Sequence, residues 1–104
     1  EPGCRNNWHI HHAVCGGGQI LICVYGKGYY QEENKPVRIL NPGDIVNIPP
    51  NVKHWHGASE DRYFQHLAIE MPGENAKTEW REPVNEEEYE RISECHFNER
   101  AATN

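Results

Sequence analysis

The stretch Asn7-Trp8-His9-Ile10-His11-His12, near the start of the chain, places histidine at alternating positions. Successive side chains of a β-strand point to opposite faces of a sheet, so this pattern predicts a strand with His9 and His11 on one face. Ile10 and His12 then lie on the other face. One H-x-H pair is weak evidence of a site, because histidines on a protein surface are common.

A second pair, His54 and His56, follows the proline-rich segment Pro49-Pro50-Asn51-Val52-Lys53. By the same alternation the two rings share a face, with Trp55 opposite. If both pairs lie on neighbouring strands, four imidazoles converge in one interior. That arrangement is costly unless a metal ion or an ordered polar network satisfies the nitrogens, and neutral imidazole is a good ligand for divalent transition metals.

Further along the chain, frequent turn signals separate short segments rich in β-branched and aromatic residues. Strands of this length and spacing predict an all-β sandwich or barrel. The link Gly26-Lys27-Gly28 predicts a tight hairpin between two of them. Near the end, Asn85 is a plausible N-cap for one short helix at Glu86–Glu94, whose first turn is acidic. The predicted strands are Asn7–His12, Gln19–Tyr25, Gly28–Glu32, Val37–Leu40, Asp44–Ile48, Lys53–Ala58 and Tyr63–Glu70.

Composition narrows the classes of function. The chain has 104 residues, enough for one compact domain, and its net charge of -6 argues against a nucleic-acid partner. No apolar run approaches the roughly 20 residues of a membrane-spanning helix, so we expect no membrane partner. The four cysteines form no C-x-x-C pair, which argues against a zinc ribbon. Scattered thiols of this kind predict a reduced protein in the cytoplasm.

Two groups of residues resemble the motifs of the cupin family. Gly3, His9, His11, Gln19 and Gly26 follow the first motif, G-x5-H-x-H-x3,4-E-x6-G. The second motif, G-x5-P-x-G-x2-H-x3-N, is matched by the residues Gly43, Pro49 and His54. The resemblance implies a cupin double-stranded β-helix, or jelly-roll barrel, with the short C-terminal helix added to it.

The sequence departs from these motifs at four points. The glutamate of the first motif is Gln19 here, and a glycine-rich insertion lengthens the interval between His11 and Gln19. In the second motif, Asn51 replaces the glycine and Ala58 the closing asparagine. Asparagine is one of the few residues that tolerate left-handed backbone, so Asn51 is compatible with the motif's turn.

The segment from Pro49 to Ala58 is also similar to small bacterial cupins that resemble the (R)-selective hydroxynitrile lyases, often annotated beside carboxymuconolactone decarboxylases. That resemblance implies one divalent metal per chain, held by His9, His11, Gln19 and His54. It favours manganese, with iron, nickel, zinc and cobalt as alternatives. It also places His56 and His66 beside the metal as catalytic residues.

The implied ligands are three imidazoles and an amide, all neutral, so the metal would keep its full charge and act as a strong Lewis acid. His56 or His66 would then move a proton of a small oxygenated substrate. This predicts a metal-dependent lyase or isomerase of hydroxynitrile-lyase type. Two alternatives stay open, an iron-dependent dioxygenase and a non-catalytic cupin that binds a small molecule, because fold does not fix function.

The first motif begins at Gly3, before which a cupin normally has further strands. We therefore expect residues 1–104 to form a single cupin domain that lacks its N-terminal strands. An unprotected sheet edge invites pairing with another chain. The sequence thus predicts a homo-oligomer, a dimer or larger.

Overall fold

A computed structural model describes residues 1–92 of the chain. Eight strands are present in this range, and residues 86–92 are helical. The strands are β1 (His9–His12), β2 (Gln19–Gly26), β3 (Gly28–Glu32), β4 (Arg38–Leu40), β5 (Ile45–Ile48), β6 (Lys53–Ala58), β7 (Phe64–Glu70) and β8 (Lys77–Trp80). The predicted short C-terminal helix is confirmed up to residue 92, and its last two predicted residues lie outside the described range.

The strands form two antiparallel sheets. Five strands are ordered β4-β3-β6-β1-β8, and three are ordered β5-β2-β7. Buried side chains from both sheets make one shared core, so the sheets pack face to face as the jelly-roll prediction requires. This core consists of Leu21, Cys23, Tyr30, Leu40, Val46 and Ile48, with Phe64 packed against it.

A second core covers the outer face of the five-stranded sheet. Trp55 and Tyr29 are fully buried there against Val84 and Tyr89, from the segment that follows β8 and from the helix. The Tyr89 hydroxyl donates a hydrogen bond of 2.6 Å to the carbonyl oxygen of Ala58. Residues 81–92 thus form a third layer on one side of the molecule.

The link Gly26-Lys27-Gly28 is not a hairpin, which corrects the sequence prediction. β2 belongs to the three-stranded sheet and β3 to the five-stranded sheet, so the link carries the chain between the two layers. Gly26 has a φ of 84° and lies against the carbonyl oxygen of Tyr63. Only glycine fits there without strain, so the same glycine signal that marks hairpins also marks this crossing.

Strand β8 is a second correction, because no strand was predicted from the sequence at Lys77–Trp80. β8 pairs with β1 over its whole length, with His9 opposite Trp80 and His11 opposite Thr78. It lies at the edge of the sheet and is largely exposed, so it has no run of buried apolar residues. Its position matters because it borders the two histidines of the first pair.

Candidate metal centre

Three histidines from two neighbouring strands meet at one point of the interior. His9 of β1 is directly opposite His54 of β6, and His11 lies two residues further along β1 on the same face. One ring nitrogen from each of the three residues lies within 4.8 Å of the other two. His9 and His54 are fully buried, and His11 is partly buried. The alternation predicted from the sequence therefore produces a cluster that could hold a metal ion.

Hydrogen bonds fix the protonation of two of these rings. His9 Nδ1 lies 2.8 Å from the carbonyl oxygen of Asn7, and His54 Nδ1 lies 2.9 Å from that of Val52. A carbonyl oxygen only accepts, so each Nδ1 carries the proton and each Nε2 keeps a lone pair in the neutral ring. Metal-binding histidines are usually oriented in this way, by donating the other N–H to a carbonyl or a carboxylate.

The third ring is held by β8, the strand that was not predicted from the sequence. His11 Nδ1 lies 3.2 Å from the Thr78 hydroxyl of β8, and the His9 ring packs 4.8 Å from the ring of Trp80. Thr78 and Trp80 are two residues apart and share a face, a pattern in Lys77-Thr78-Glu79-Trp80 that could have predicted the strand. β8 therefore contacts both of the histidines that β1 contributes to the cluster.

Gln19 opens β2 on the inward face of the opposite sheet. It is buried, like Leu21 and Cys23, whereas Ile20 and Ile22 on the other face are partly exposed. The glycine insertion before it folds into a defined structure, in which Gly17 donates a 2.9 Å hydrogen bond to the carbonyl oxygen of Pro72. The long interval from His11 is thus compatible with an inward Gln19.

Three buried side-chain atoms have no hydrogen-bond partner within residues 1–92: His11 Nε2, Gln19 Oε1 and His54 Nε2. An unpaired polar atom in a protein interior costs about 1–3 kcal/mol, so each such atom requires an explanation. All three belong to the four residues that the motif resemblance implies as ligands. A divalent metal would satisfy these atoms, and the donor set of imidazole nitrogens and an amide oxygen suits such an ion.

Burial keeps the cluster neutral. It lowers the pKa of His54 to about 4, and the neighbouring His9 and His11 add to this decrease. Burial also lowers the pKa of His9. It lowers the pKa of His11 as well, although the nearby Glu70 carboxylate acts in the opposite direction. At neutral pH the rings therefore have the uncharged form that a metal ion requires of imidazole.

The two further histidines lie beside this cluster and border a cavity. The His56 ring is 6.0 Å from His9, and the His66 ring of β7 is 5.2 Å from His56. Both line a cavity of about 350 Å³, together with Cys4, Asn6 and Phe64 among others. Burial lowers the pKa of His56 to about 3, helped by His66, and burial also lowers the pKa of His66. The cavity is large enough for a small organic molecule.

His12 points away from the cluster, as the alternation predicted. Its Nε2 lies 2.7 Å from a carboxylate oxygen of Glu79, on the opposite face of the sheet. Asn6, which contacts His56, was not among the site residues predicted from the sequence. Asn6 occupies one of the variable positions between Gly3 and His9 of the first motif, so the motif does not identify it as a site residue.

Comparisons with known proteins agree with this architecture. The family model described as Cupin domain matches residues 1–70. The chain is 41% identical over 91 residues to an (R)-mandelonitrile lyase from Granulicella tundricola. The matched residues are 88% of this chain and 66% of the relative. A solved structure of a cupin-like protein from Thermotoga maritima is 49% identical, with a TM-score of 0.75, covering 88% of this chain and 65% of that chain.

An acireductone dioxygenase from Aquifex aeolicus is 35% identical over 54 residues, which are 49% of this chain and 30% of the relative. The chain thus spans slightly less than two thirds of the lyase and of the Thermotoga protein, and a smaller part of the dioxygenase. Within residues 1–92, no helix is long and apolar enough to cross a membrane.

Proposed function

The chain belongs to the cupin domain family, and from that premise we propose that it is a metal-dependent lyase that cleaves a small oxygenated substrate, as a hydroxynitrile lyase does. The observation that carries the proposal is the convergence of three histidines whose ring nitrogens lie within 4.8 Å of one another. Two of them are held by backbone carbonyls with their Nε2 lone pairs free. The mandelonitrile lyase among the relatives supports the reaction class.

His9, His11, His54 and Gln19 would hold the metal, which we propose to be manganese. Three of these residues carry a buried atom that has no hydrogen-bond partner among residues 1–92. A divalent ion with only neutral ligands supplies Lewis acidity toward a substrate oxygen when bound. Iron, nickel, zinc and cobalt suit the same donors, so metal identity is part of the proposal and not of the fold.

The chain's own residues would handle the proton. In a cyanohydrin the hydroxyl proton passes to a histidine, the bond between the carbinol carbon and the nitrile carbon breaks, and cyanide leaves with the bonding electrons. The histidine then returns the proton to cyanide, so the products are an aldehyde and hydrogen cyanide. His56 and His66 line the cavity and are neutral at pH 7, as this proton transfer requires.

The test is turnover of (R)-mandelonitrile by manganese-loaded protein, with benzaldehyde and dissolved oxygen both measured. We expect benzaldehyde to form without oxygen consumption. We expect His66→Ala to lower the rate by about 100-fold or more, since general acid–base catalysis contributes that much. No turnover of this cyanohydrin by fully loaded protein would contradict the proposed substrate.

A dioxygenase is the second candidate, favoured by the similarity to an acireductone dioxygenase over 49% of the chain. Iron-loaded protein that consumes oxygen in step with product would support this candidate against the lyase. Tight binding of a small molecule without turnover under either metal would support a non-catalytic cupin instead. A cytoplasmic location stays a prediction from the cysteine pattern.

We also propose that the chain associates with a second copy of itself. The outer face of the three-stranded sheet has no covering layer from residues 1–92, and its apolar side chains Ile45, Leu67 and Ile69 are 58%, 56% and 46% exposed. β7 is an edge strand of that sheet, with unpaired backbone groups along one side. Apolar contacts and edge pairing would both favour association through this face.

A further inference from the structure

Asn6 is bonded to His56 at three places. Its backbone N–H donates to the carbonyl oxygen of His56 at 3.2 Å, and the His56 backbone N–H donates to Asn6 Oδ1 at 3.0 Å. The third contact, of 3.1 Å, joins Asn6 Nδ2 to His56 Nε2. The asparagine lies in the segment before β1, and its side chain adds two contacts to the backbone hydrogen bonds that join this segment to β6.

These contacts determine which nitrogen of His56 carries the proton. The oxygen and the nitrogen of a side-chain amide are told apart by their hydrogen-bond partners. One end of the Asn6 amide faces the backbone N–H of His56, which can only donate. That end must be the oxygen, and the other end is the NH2 group. An NH2 group only donates, so His56 Nε2 must accept and cannot carry a proton. In the neutral ring the proton is on Nδ1.

We propose that Asn6 is a positioning residue that holds His56 as the Nδ1–H tautomer, so that His56 donates a hydrogen bond while His66 acts as the base. This inference rests on the proposed lyase function. It divides the two histidines of the cavity into a donor and an acceptor of protons.

The surroundings of His66 agree with the base role. Its ring stacks on Phe64 at 5.0 Å and meets the His56 ring edge-on, and it makes no hydrogen bond to any of residues 1–92. Its nitrogens are thus free to accept a proton from a substrate in the cavity. His56 has its Nε2 lone pair already engaged by Asn6, so it cannot accept there without losing that bond.

Asn6→Asp is the sharpest variant, because it keeps the size of the side chain. One carboxylate oxygen still accepts the His56 backbone N–H. The other oxygen only accepts, so His56 Nε2 must then carry a proton. Asn34→Asp is the matched control, with the same change in the exposed turn between β3 and β4, where aspartate tolerates the φ of 64° as asparagine does.

Two readouts test the proposal in zinc-loaded protein and in manganese-loaded protein. The first is the ¹⁵N NMR spectrum of the imidazoles with zinc bound, with His56 assigned by its loss in His56→Gln. We expect a protonated Nδ1 and an unprotonated Nε2 in the wild type and in Asn34→Asp, and a protonated Nε2 in Asn6→Asp. The second is turnover of (R)-mandelonitrile with manganese, where kcat of Asn6→Asp should fall about 10- to 100-fold with KM little changed.

A wild-type His56 with the proton on Nε2 would overturn the tautomer assignment. An Asn6→Asp protein with wild-type kcat would overturn its role in catalysis. If the wild type turns over no cyanohydrin at all, the proposed function fails, and the NMR spectra alone decide whether Asn6 fixes the ring.

Discussion

At the residue scale, the sequence predicted which histidines share a face but not how their rings are held. His9 and His54 each donate from Nδ1 to the carbonyl oxygen two residues earlier in the chain, of Asn7 and of Val52. A backbone carbonyl has no signature in the sequence, so these bonds could not be predicted. The same holds for Asn6, whose role depends on a contact with a residue 50 positions away.

We expect His54→Ala and His66→Ala to separate metal binding from catalysis. His54 has an unpaired buried Nε2 in the centre of the cluster, so its removal should abolish metal binding. His66 contacts His56 and is not one of the three clustered histidines, so His66→Ala should keep the metal and lose activity. Elemental analysis and the mandelonitrile assay on both variants check this, and loss of the metal in His66→Ala would show that the ligands were assigned wrongly.

At the element scale, strand positions followed from the sequence where one face is buried. β2 alternates between buried and partly exposed residues from Gln19 to Cys23, and such alternation is a strong signal. β8 is exposed on both faces for most of its length and gives no such signal, although it orients His11 and packs on His9. The crossing at Gly26 was mistaken for a hairpin because tight turns and close backbone contacts both select glycine.

Gly26→Ala should destabilise the protein strongly. A Cβ atom at Gly26 would lie 1.8 Å from the carbonyl oxygen of Tyr63, and φ is 84°. Overpacking and left-handed strain together should lower the free energy of unfolding by at least about 2 kcal/mol. Gly43→Ala is the control, since φ is 93° there and nothing lies within 4 Å of the added Cβ.

Urea unfolding of the two variants separates the crowding from the strain. We expect Gly26→Ala to lose clearly more stability than Gly43→Ala. Equal losses would mean that backbone strain alone is responsible, and that the link between the sheets can move away from Tyr63.

At the scale of the whole molecule, the two sheets are covered unequally. On the outer face of the five-stranded sheet lie Val84 and the helix, which contributes Tyr89. On the outer face of the three-stranded sheet, Ile45, Leu67 and Ile69 are exposed. The resemblance to cupins predicted the two-sheet fold and the position of the histidines between the sheets. Which outer face is covered depends on contacts between distant segments, and the sequence pattern did not predict it.

The exposed face leads to a prediction about association. In sedimentation velocity the wild type should migrate as a dimer or a larger oligomer, because burying apolar side chains is favourable. Ile69→Lys should shift it toward the monomer, since it places a charge in the proposed interface. Val14→Lys, at a side chain that is 73% exposed outside the strands, should change nothing. A monomeric wild type would contradict the proposal.

The central claim is that His9, His11, Gln19 and His54 hold one divalent metal ion, and elemental analysis of the purified protein tests it most directly. After expression in medium supplemented with manganese, iron, nickel, zinc and cobalt, we predict roughly one metal per chain, because the neutral imidazoles and the amide suit such an ion. The His54→Ala protein, prepared in parallel, should contain almost none. A wild-type content below about a tenth of a metal ion per chain would contradict the account, since tight sites are filled in nearly every copy.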